Sequence, residues 1–300
     1  MPALVRYVKG LGLAVLALLA ACPAGAQIGN QLSAYTGLNA TGYLQPLADA
    51  FGADLNSGLY HSARIPSHPH LSVEVKVMSV MFDNEDRTFL ATTEGLFDPP
   101  QTVQAPTIVG SGAVVTVPGT GGTTFAFPGG FDLSSFAIAV PQVRFGAFAG
   151  TEGVIRFFAV DTGDVELGDI KLFGFGVRHS FSQYFGPLFP LDLSGGFFWQ
   201  SFEMGGDLVD TKAFSIGLQA SKDMVLLQPY AGVSWDRFSL DVLYESDALG
   251  APQTIDLAFE SESSLHLTVG LGLNLAILNV HGEYNIAEQS GFAFGLAIGN

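Results

Sequence analysis

Strict alternation of apolar and polar residues dominates the last third of the chain. Between Ser264 and Leu275 every second residue is Leu or Val, and Ser, His, Thr, Gly and Asn stand between them. Twelve alternating positions exceed an average strand and approach the length of a tilted strand that spans a membrane. Residues 278–286 and 291–299 repeat the pattern after short turns. The period predicts consecutive antiparallel strands, each with one apolar face.

Shorter alternating runs occur earlier in the chain, and their charged residues fall on the polar face or at the run ends. Counting every run predicts an all-β protein, a transmembrane antiparallel β-barrel of about 12–14 strands over residues 67–300. Residues 99–131 contain no charged residue and are rich in Gly, Thr and Pro. We interpret them as a long hairpin or external loop with its tip at 119–122.

Charged side chains on the predicted inner face are expected to form a hydrogen-bonded network. These lumen candidates are Glu74, Lys76, Arg144, Arg156, Arg178, Asp241, His281 and Glu283. Asp241 is included because it alternates with Leu240 and Val242, which are then expected to face lipid.

Residues 27–66 do not follow the strand period. Apolar residues recur there at helical spacing, with Thr41 as the expected N-cap and Pro46 in the first turn. The apolar residues are Tyr43, Leu44, Leu47, Phe51 and Leu55. Two placements fit this helical segment: a helix on the barrel rim, or a plug inside the lumen. Glycines on the predicted inner face are the argument for the plug, because inward glycine often marks close approach by another segment, and both placements stay open.

Residues 1–26 are predicted to be a cleaved signal peptide, so the protein is expected to be exported, and the predicted barrel makes the bacterial outer membrane its expected location. Arg6 and Lys9 precede an apolar run that is too short to span a bilayer, and Ala24-Gly25-Ala26 supplies the cleavage site. Cys22 offers an alternative, because the residues before it resemble the lipobox at which bacterial lipoproteins are cleaved and lipidated.

Composition supports a barrel. Charged residues make up 13% of the chain, against about 25% in a typical soluble domain, and the mean hydropathy is +0.36. After residue 26 no stretch reaches the ~18 apolar residues of a spanning helix. A closed barrel can turn apolar side chains towards lipid, its expected partner. Without Arg6 and Lys9 the chain has 10 basic and 28 acidic residues, which argues against nucleic-acid binding.

The chain resembles a group of uncharacterised bacterial outer-membrane barrels, distantly like the FadL-like long-chain fatty-acid transporters. The resemblance depends on short motifs from Tyr43 to Ile286. They are 43–47 (YLQPL), 51–58 (FGADLNSG), 150–152 (GTE), 176–180 (GVRHS), 219–222 (QASK), 229–232 (PYAG) and 284–286 (YNI). The resemblance to the FadL-like transporters implies an N-terminal plug and a lateral path for a small apolar ligand. No ligand contact of that family can be matched to a residue here.

Two clusters contain residue types that bind metal ions. His61, His68 and His70 have spacing that suits zinc or copper, but interrupting prolines favour a polar linker. The oxygen-rich residues 161–169 lack the EF-hand spacing, and a hairpin turn is favoured over a calcium site. No catalytic, cofactor or metal residue is therefore predicted.

Passive transport of small or apolar molecules is the function expected first. The alternative is a non-transporting barrel that anchors or escorts a surface or secretion complex. A membrane-embedded lipid hydrolase around His281, Glu283 and His266 is the third hypothesis, and no enzymatic activity is expected.

Overall fold

A computed structural model describes residues 34–94, 97–146, 149–161, 168–185, 189–206, 208–246 and 253–299 of the chain, with backbone alone at 262 and 263. One α-helix, α1, spans Gly37–Leu55. Strands β1 to β14 span, in order, His70–Met81, Thr88–Thr92, Thr102–Pro106, Val115–Pro118, Thr124–Phe127, Ser135–Gly146, Thr151–Asp161, Asp169–Ser180, Asp192–Met204, Val209–Ser221, Leu227–Ser246, Gln253–Leu275, Leu278–Ile286 and Gly291–Gly299.

Ten of these strands form a closed barrel, which confirms the predicted all-β barrel fold. The order around the barrel is β1, β14, β13, β12, β11, β10, β9, β8, β7 and β6, and β6 pairs with β1. The neighbouring strands pair antiparallel. The predicted count of 12–14 was too high for the barrel. Strands β2 to β5 have only four or five residues each and pair as two separate hairpins.

Those hairpins belong to residues 82–134, an insert between β1 and β6. We call the end of the barrel that carries this insert the insert end. The opposite end, where β1 begins and β14 finishes, is the terminal end. Residues 99–131 therefore fold into parts of two hairpins, and the expected tip coincides with a 3-10 turn at Thr120–Gly122.

The outer wall carries a belt of exposed apolar side chains. On β12, Leu265, Val269 and Leu271 are 64%, 60% and 49% exposed, whereas His266 between them is 3% exposed. Ten residues of strand at ~3.3 Å each, tilted by ~40°, give a belt about 25 Å high. That height matches the apolar band with which β-barrels cross outer membranes. Among the described residues, no helix has the length and apolar character needed to cross a bilayer.

Above the belt, at the insert end, the polarity of the two wall faces is reversed. Leu240 and Val242 of β11 are buried inside the barrel, and Asp241 between them is exposed on the outer face. The assignment of Asp241 to the lumen was therefore wrong. Here β11 and β12 extend beyond the lipid, so the outer face meets water while the inner face packs on α1. Opposite Asp236–Phe238 of β11, a β-bulge adds one residue to β12, which exchanges its inward and outward positions.

Helix α1 lies inside the barrel at the insert end. Its first half packs against the insert: the Tyr35 and Tyr43 rings are 4.8 Å apart, and Tyr43 accepts a backbone hydrogen bond from Ile108. Its second half is enclosed by the wall, where Phe51 contacts Phe202 of β9 with a ring separation of 4.8 Å. The helix begins at Gly37, before the predicted N-cap Thr41, so Pro46 lies in its interior rather than in its first turn.

Candidate functional site

Residues 56–65 continue from α1 down the lumen to the terminal end without regular secondary structure. The Gly58 amide donates to Glu283, and further along the Leu59 carbonyl accepts from Gln142. The Ala63 amide then donates to the hydroxyl of Ser221, the last residue of β10. We call residues 35–65, which include α1, the inner segment. It passes once through the whole barrel.

Two buried arginines on the wall bind the backbone of the inner segment. Arg156 of β7 donates to the Leu55 carbonyl at 3.1 Å and to the Ser57 carbonyl at 3.0 Å. Arg178 of β8 donates to the Ser62 carbonyl and lies 4.8 Å from the centre of the Tyr60 ring. Carbonyl oxygens thus accept hydrogen bonds from cations in a region closed to water, where such bonds are strong.

Arg156 depends on the inner segment more than the other wall cations do. It is fully buried, and no carboxylate lies within ion-pair distance of it among the described residues. Besides the two carbonyls, its contacts are Gln142, which accepts from Nε at 2.8 Å, and the Phe198 ring. The inner segment therefore supplies much of the solvation of a buried charge.

Two carboxylates form ion pairs with the remaining cations of the inner wall. Glu74 contacts the Arg144 guanidinium directly and lies 3.3 Å from the Lys76 ammonium. Glu152 lies 2.7 Å from Arg178 and 3.5 Å from Arg144, so the two clusters share one guanidinium. Each carboxylate is fully buried, and the whole arrangement forms one continuous polar network on the inner wall.

Seven of the eight lumen candidates lie in this part of the barrel interior, and Asp241 is the exception described above. They are Glu74, Lys76, Arg144, Arg156, Arg178, His281 and Glu283. Sequence reasoning missed Gln142 and Glu152 as members. Glu152 shares the inward parity of Val154 and Arg156 along β7, so the two-residue period contains the signal that identifies it.

All five residues named as plug candidates lie in α1. Tyr43, Leu44, Phe51 and Leu55 are buried, and Leu47 is partly buried against the same cluster. The helix is in contact with β1, β6, β11 and β12 as well as with β2 of the insert. The helix therefore lies inside the barrel, enclosed by its strands, and not on the rim.

His61, Glu74 and His281 are the one group of described residues with donor atoms close enough for a metal ion, all within 4.8 Å. The His61 and His281 rings are stacked at 4.1 Å. Their nitrogens, however, face cations: Lys76 Nζ lies 2.5 Å from His281 Nε2, and Arg144 donates to His61 Nε2 at 3.1 Å. A divalent ion there would have to displace two positive side chains, so the donor set fits a metal poorly.

The other metal candidates do not converge either. His70 lies 2.9 Å from Glu152 in the wall, and His68 is exposed at the terminal end. Of the oxygen-rich residues 161–169, positions 162–167 lie outside the described residues.

His266 has part of the arrangement of side chains that a hydrolase requires. His266 Nδ1 lies 2.7 Å from Asp236, and the Thr268 hydroxyl lies 3.5 Å from Nε2. The threonine donates to Asn285 at 2.7 Å instead, and Asn285 also faces His266 Nε2 at 2.9 Å. The cavity beside His266 measures about 40 Å³, which leaves space for little more than water.

Only one of the described cavities is large. It measures about 230 Å³ and opens at the terminal end below the inner segment. Its lining is mixed: Arg64, His70 and Arg144 contribute polar groups, and Ile277 and Leu278 contribute apolar ones. A second cavity, between residues 56–60 and β10 to β12, measures about 40 Å³. We call the larger cavity the vestibule. In the described part of the chain, the inner segment separates the vestibule from the insert end.

Comparison with known sequences places the whole chain in one family. The sequence model of DUF6588, a family of unknown function, matches residues 7–300. The chain belongs to DUF6588. No curated protein matches it.

Several solved structures are similar to this DUF6588 chain. The translocator domain of the autotransporter NalP from Neisseria meningitidis has 12% identity and a TM-score of 0.35, over 86% of this chain and 98% of that one. The toluene transporter TbuX of Ralstonia pickettii has 8% identity and a TM-score of 0.30, over 83% and 93%. A FadL homologue from Pseudomonas aeruginosa has 8% identity and a TM-score of 0.28, over 89% and 95%.

These TM-scores lie below 0.5, and the barrel assignment depends instead on the closed strand order and the exposed apolar belt of the chain itself. A closed barrel with such a belt is the form in which β-proteins span bacterial outer membranes. The protein is an outer-membrane β-barrel.

Proposed function

We propose that this barrel is closed by its own inner segment and acts as a membrane anchor that presents the 82–134 insert at the insert end. The observation that carries the proposal is the pairing of the buried Arg156 with the Leu55 and Ser57 carbonyls. Displacing the segment would leave a guanidinium in the wall without these acceptors. Such a loss typically costs several kcal/mol, so the closed state is strongly favoured.

Passive transport remains the second candidate, because the terminal end opens into the 230 Å³ vestibule. A path past the inner segment would be lined by Glu74, Lys76, Arg144 and Arg178. Those charged side chains favour a small polar solute over an apolar one. An apolar molecule cannot form hydrogen bonds with charged groups that have lost their partners in the inner segment.

Conductance across a planar bilayer distinguishes the two. We expect no channel activity from the natural chain and open channels after deletion of residues 35–65. A disulfide between Gly58→Cys and Ala293→Cys gives a locked control, because a Cβ at position 58 would lie 3.5 Å from the Ala293 Cβ. Channels in the natural chain that disappear in the oxidised locked variant and return on reduction would refute the anchor and support transport.

Hydrolysis of lipid is tested separately. If the Asp236–His266 pair acts on an ester, the natural chain in mixed micelles will release fatty acid and the His266→Ala variant will not. Release that is equal in both chains, or absent from both, contradicts a hydrolytic role for this pair.

A further inference from the structure

The path of the inner segment determines the side of the membrane on which Ala34, the first described residue, lies. Tyr35 donates to the Pro128 carbonyl of the insert, and its own carbonyl accepts from Tyr244 near the far end of β11. At the other extreme, Arg64 pairs with Asp223 in the turn between β10 and β11, at the terminal end. The chain thus enters the barrel at the insert end and leaves it at the terminal end.

An inner crossing in addition to ten strands makes an odd number of passages. β1 begins at His70 and β14 finishes at Gly299, both at the terminal end. Ala34, which precedes the crossing, is therefore on the opposite side of the membrane from Gly299. A barrel without an inner crossing would place both ends of the chain on the same side.

The connections identify which end faces outward. At the terminal end three of the connections between strands, 147–150, 222–226 and 276–277, have only two to five residues, and the fourth, 181–191, has eleven. At the insert end lies the insert of more than fifty residues, together with the part of β11 and β12 that extends beyond the apolar belt. Outer-membrane barrels have short periplasmic turns and longer extracellular loops. The insert end is then the cell surface.

Exposed side chains agree with this orientation. The outer face of the extended β11–β12 hairpin carries Asp241, Glu245, Asp256 and Glu260, all exposed above the belt. An acidic outer surface suits the divalent cations that surround the outer leaflet. Trp235 lies below these residues with the Arg237 guanidinium 5.8 Å from its ring centre, as expected where the wall enters the interface.

We infer that this barrel holds Ala34, the first residue that the structure describes, at the cell surface, at the outer end of a segment threaded through the lumen. The C-terminal strand, in contrast, finishes on the periplasmic side. The inference depends on the path of residues 35–65 and on the orientation of the barrel. It does not depend on whether the barrel conducts.

Cysteine labelling of intact cells tests the inference at exposed positions. Leu38→Cys reports the start of the inner segment, because Leu38 is 90% exposed at the insert end. Ser67→Cys reports the chain where it has left the lumen. Leu90→Cys in the insert and Val225→Cys in a terminal-end turn are matched controls, at 75% and 93% exposed. The parent chain, whose single cysteine is Cys22, gives the background.

With a membrane-impermeant maleimide, Leu38→Cys should label in intact cells to the same extent as Leu90→Cys. Ser67→Cys and Val225→Cys should label only after the outer membrane is permeabilised. Protection of Leu38→Cys while Leu90→Cys is labelled would overturn the threading. Labelling of Ser67→Cys and Val225→Cys in intact cells, with Leu38→Cys protected, would overturn the orientation.

An epitope inserted before Ala34 gives a second measurement that needs no substitution in the barrel. Antibody should bind intact cells that carry this insertion. Binding that requires permeabilisation contradicts the inference. Channel activity of the natural chain would refute the anchor function and leave both labelling patterns unchanged, so the two proposals fail separately.

Discussion

Arg156 is the residue whose removal should loosen the inner segment most selectively. Replacing it with methionine keeps most of the side-chain volume and removes the charge and its donors. The Ser57 carbonyl and the Gln142 side-chain oxygen then lose this donor, whereas the Leu55 carbonyl retains a hydrogen bond from Gln200. Each neutral acceptor left buried without a donor costs about 1–3 kcal/mol, so the loss of two gives about 2–6 kcal/mol.

We expect most of this loss to appear as local opening of residues 56–65, because the strand pairing of β7 does not involve the guanidinium. A cost of about 3 kcal/mol or more raises the open population roughly 100-fold or more. Hydrogen exchange of the purified protein in detergent, followed by mass spectrometry of peptides from 56–65, measures the opening directly. Retained heat-dependent mobility on a gel verifies that the barrel itself is folded.

Arg237→Met is the matched control, because Arg237 is an exposed arginine on the outer face of β11. It should leave exchange in residues 56–65 unchanged. If Arg156→Met exchanges there at the natural rate while remaining folded, the buried guanidinium does not hold the inner segment, and the reasoning behind the closed barrel is refuted.

Three further predictions concern the helix, the wall and the belt. Burial raises the pKa of Asp49 on α1 to about 6, so the carboxylate form is disfavoured in the folded state. The closed state should lose about 1–2 kcal/mol, after allowance for partial solvent screening, as the pH rises from 4 to 7. Hydrogen exchange of α1 at pH 5 and pH 7.5 should show this loss, and Asp49→Asn should abolish it. Gly295→Ala should destabilise the barrel by about 1–3 kcal/mol in urea, because its Cβ would lie 1.9 Å from a histidine nitrogen on β13. Gly232→Ala, whose nearest neighbour is at 3.4 Å, should change little. Val269→Arg, in the belt, should reduce stability in lipid vesicles by about 2–4 kcal/mol, whereas Asp241→Arg, above it, should have almost no effect.

The two-residue period predicted the wall well where one face meets lipid. It separated His266 and Glu283 on the inside from Leu271 on the outside, as the structure has them. The period distinguishes two faces of a strand but does not say which face is outside. Asp241 was misplaced for that reason: above the membrane the outer surroundings are water, and the apolar face turns inward to α1.

Strand number was overestimated because alternation also occurs in short hairpins. Strands β3 and β4 alternate like the wall, but all of β2 to β5 have only four or five residues and are too short to cross a bilayer.

The inward-facing glycines of the wall do not mark the approach of the inner segment. A Cβ at the inward-facing Gly270 would meet the Tyr230 ring of the neighbouring strand, and not the inner segment. The close approach comes from the helix side, where a Cβ at Gly52 would lie 2.7 Å from the Phe238 ring. Inward glycines in this wall make room for large side chains on adjacent strands, which a single sequence does not reveal.

The pairing of β1 with β14 has a consequence for assembly. It joins Ser72 to Gly299, the widest sequence separation of any strand pair in the barrel. Contacts between distant parts of a chain form late, because closing a long loop costs entropy before it is rewarded. Until this seam closes, the sheet is an open surface on which residues 35–65 can pack and supply carbonyl acceptors to Arg156. When β1 then pairs with β14, the barrel closes around these residues. The last folding step therefore completes the wall and encloses the inner segment.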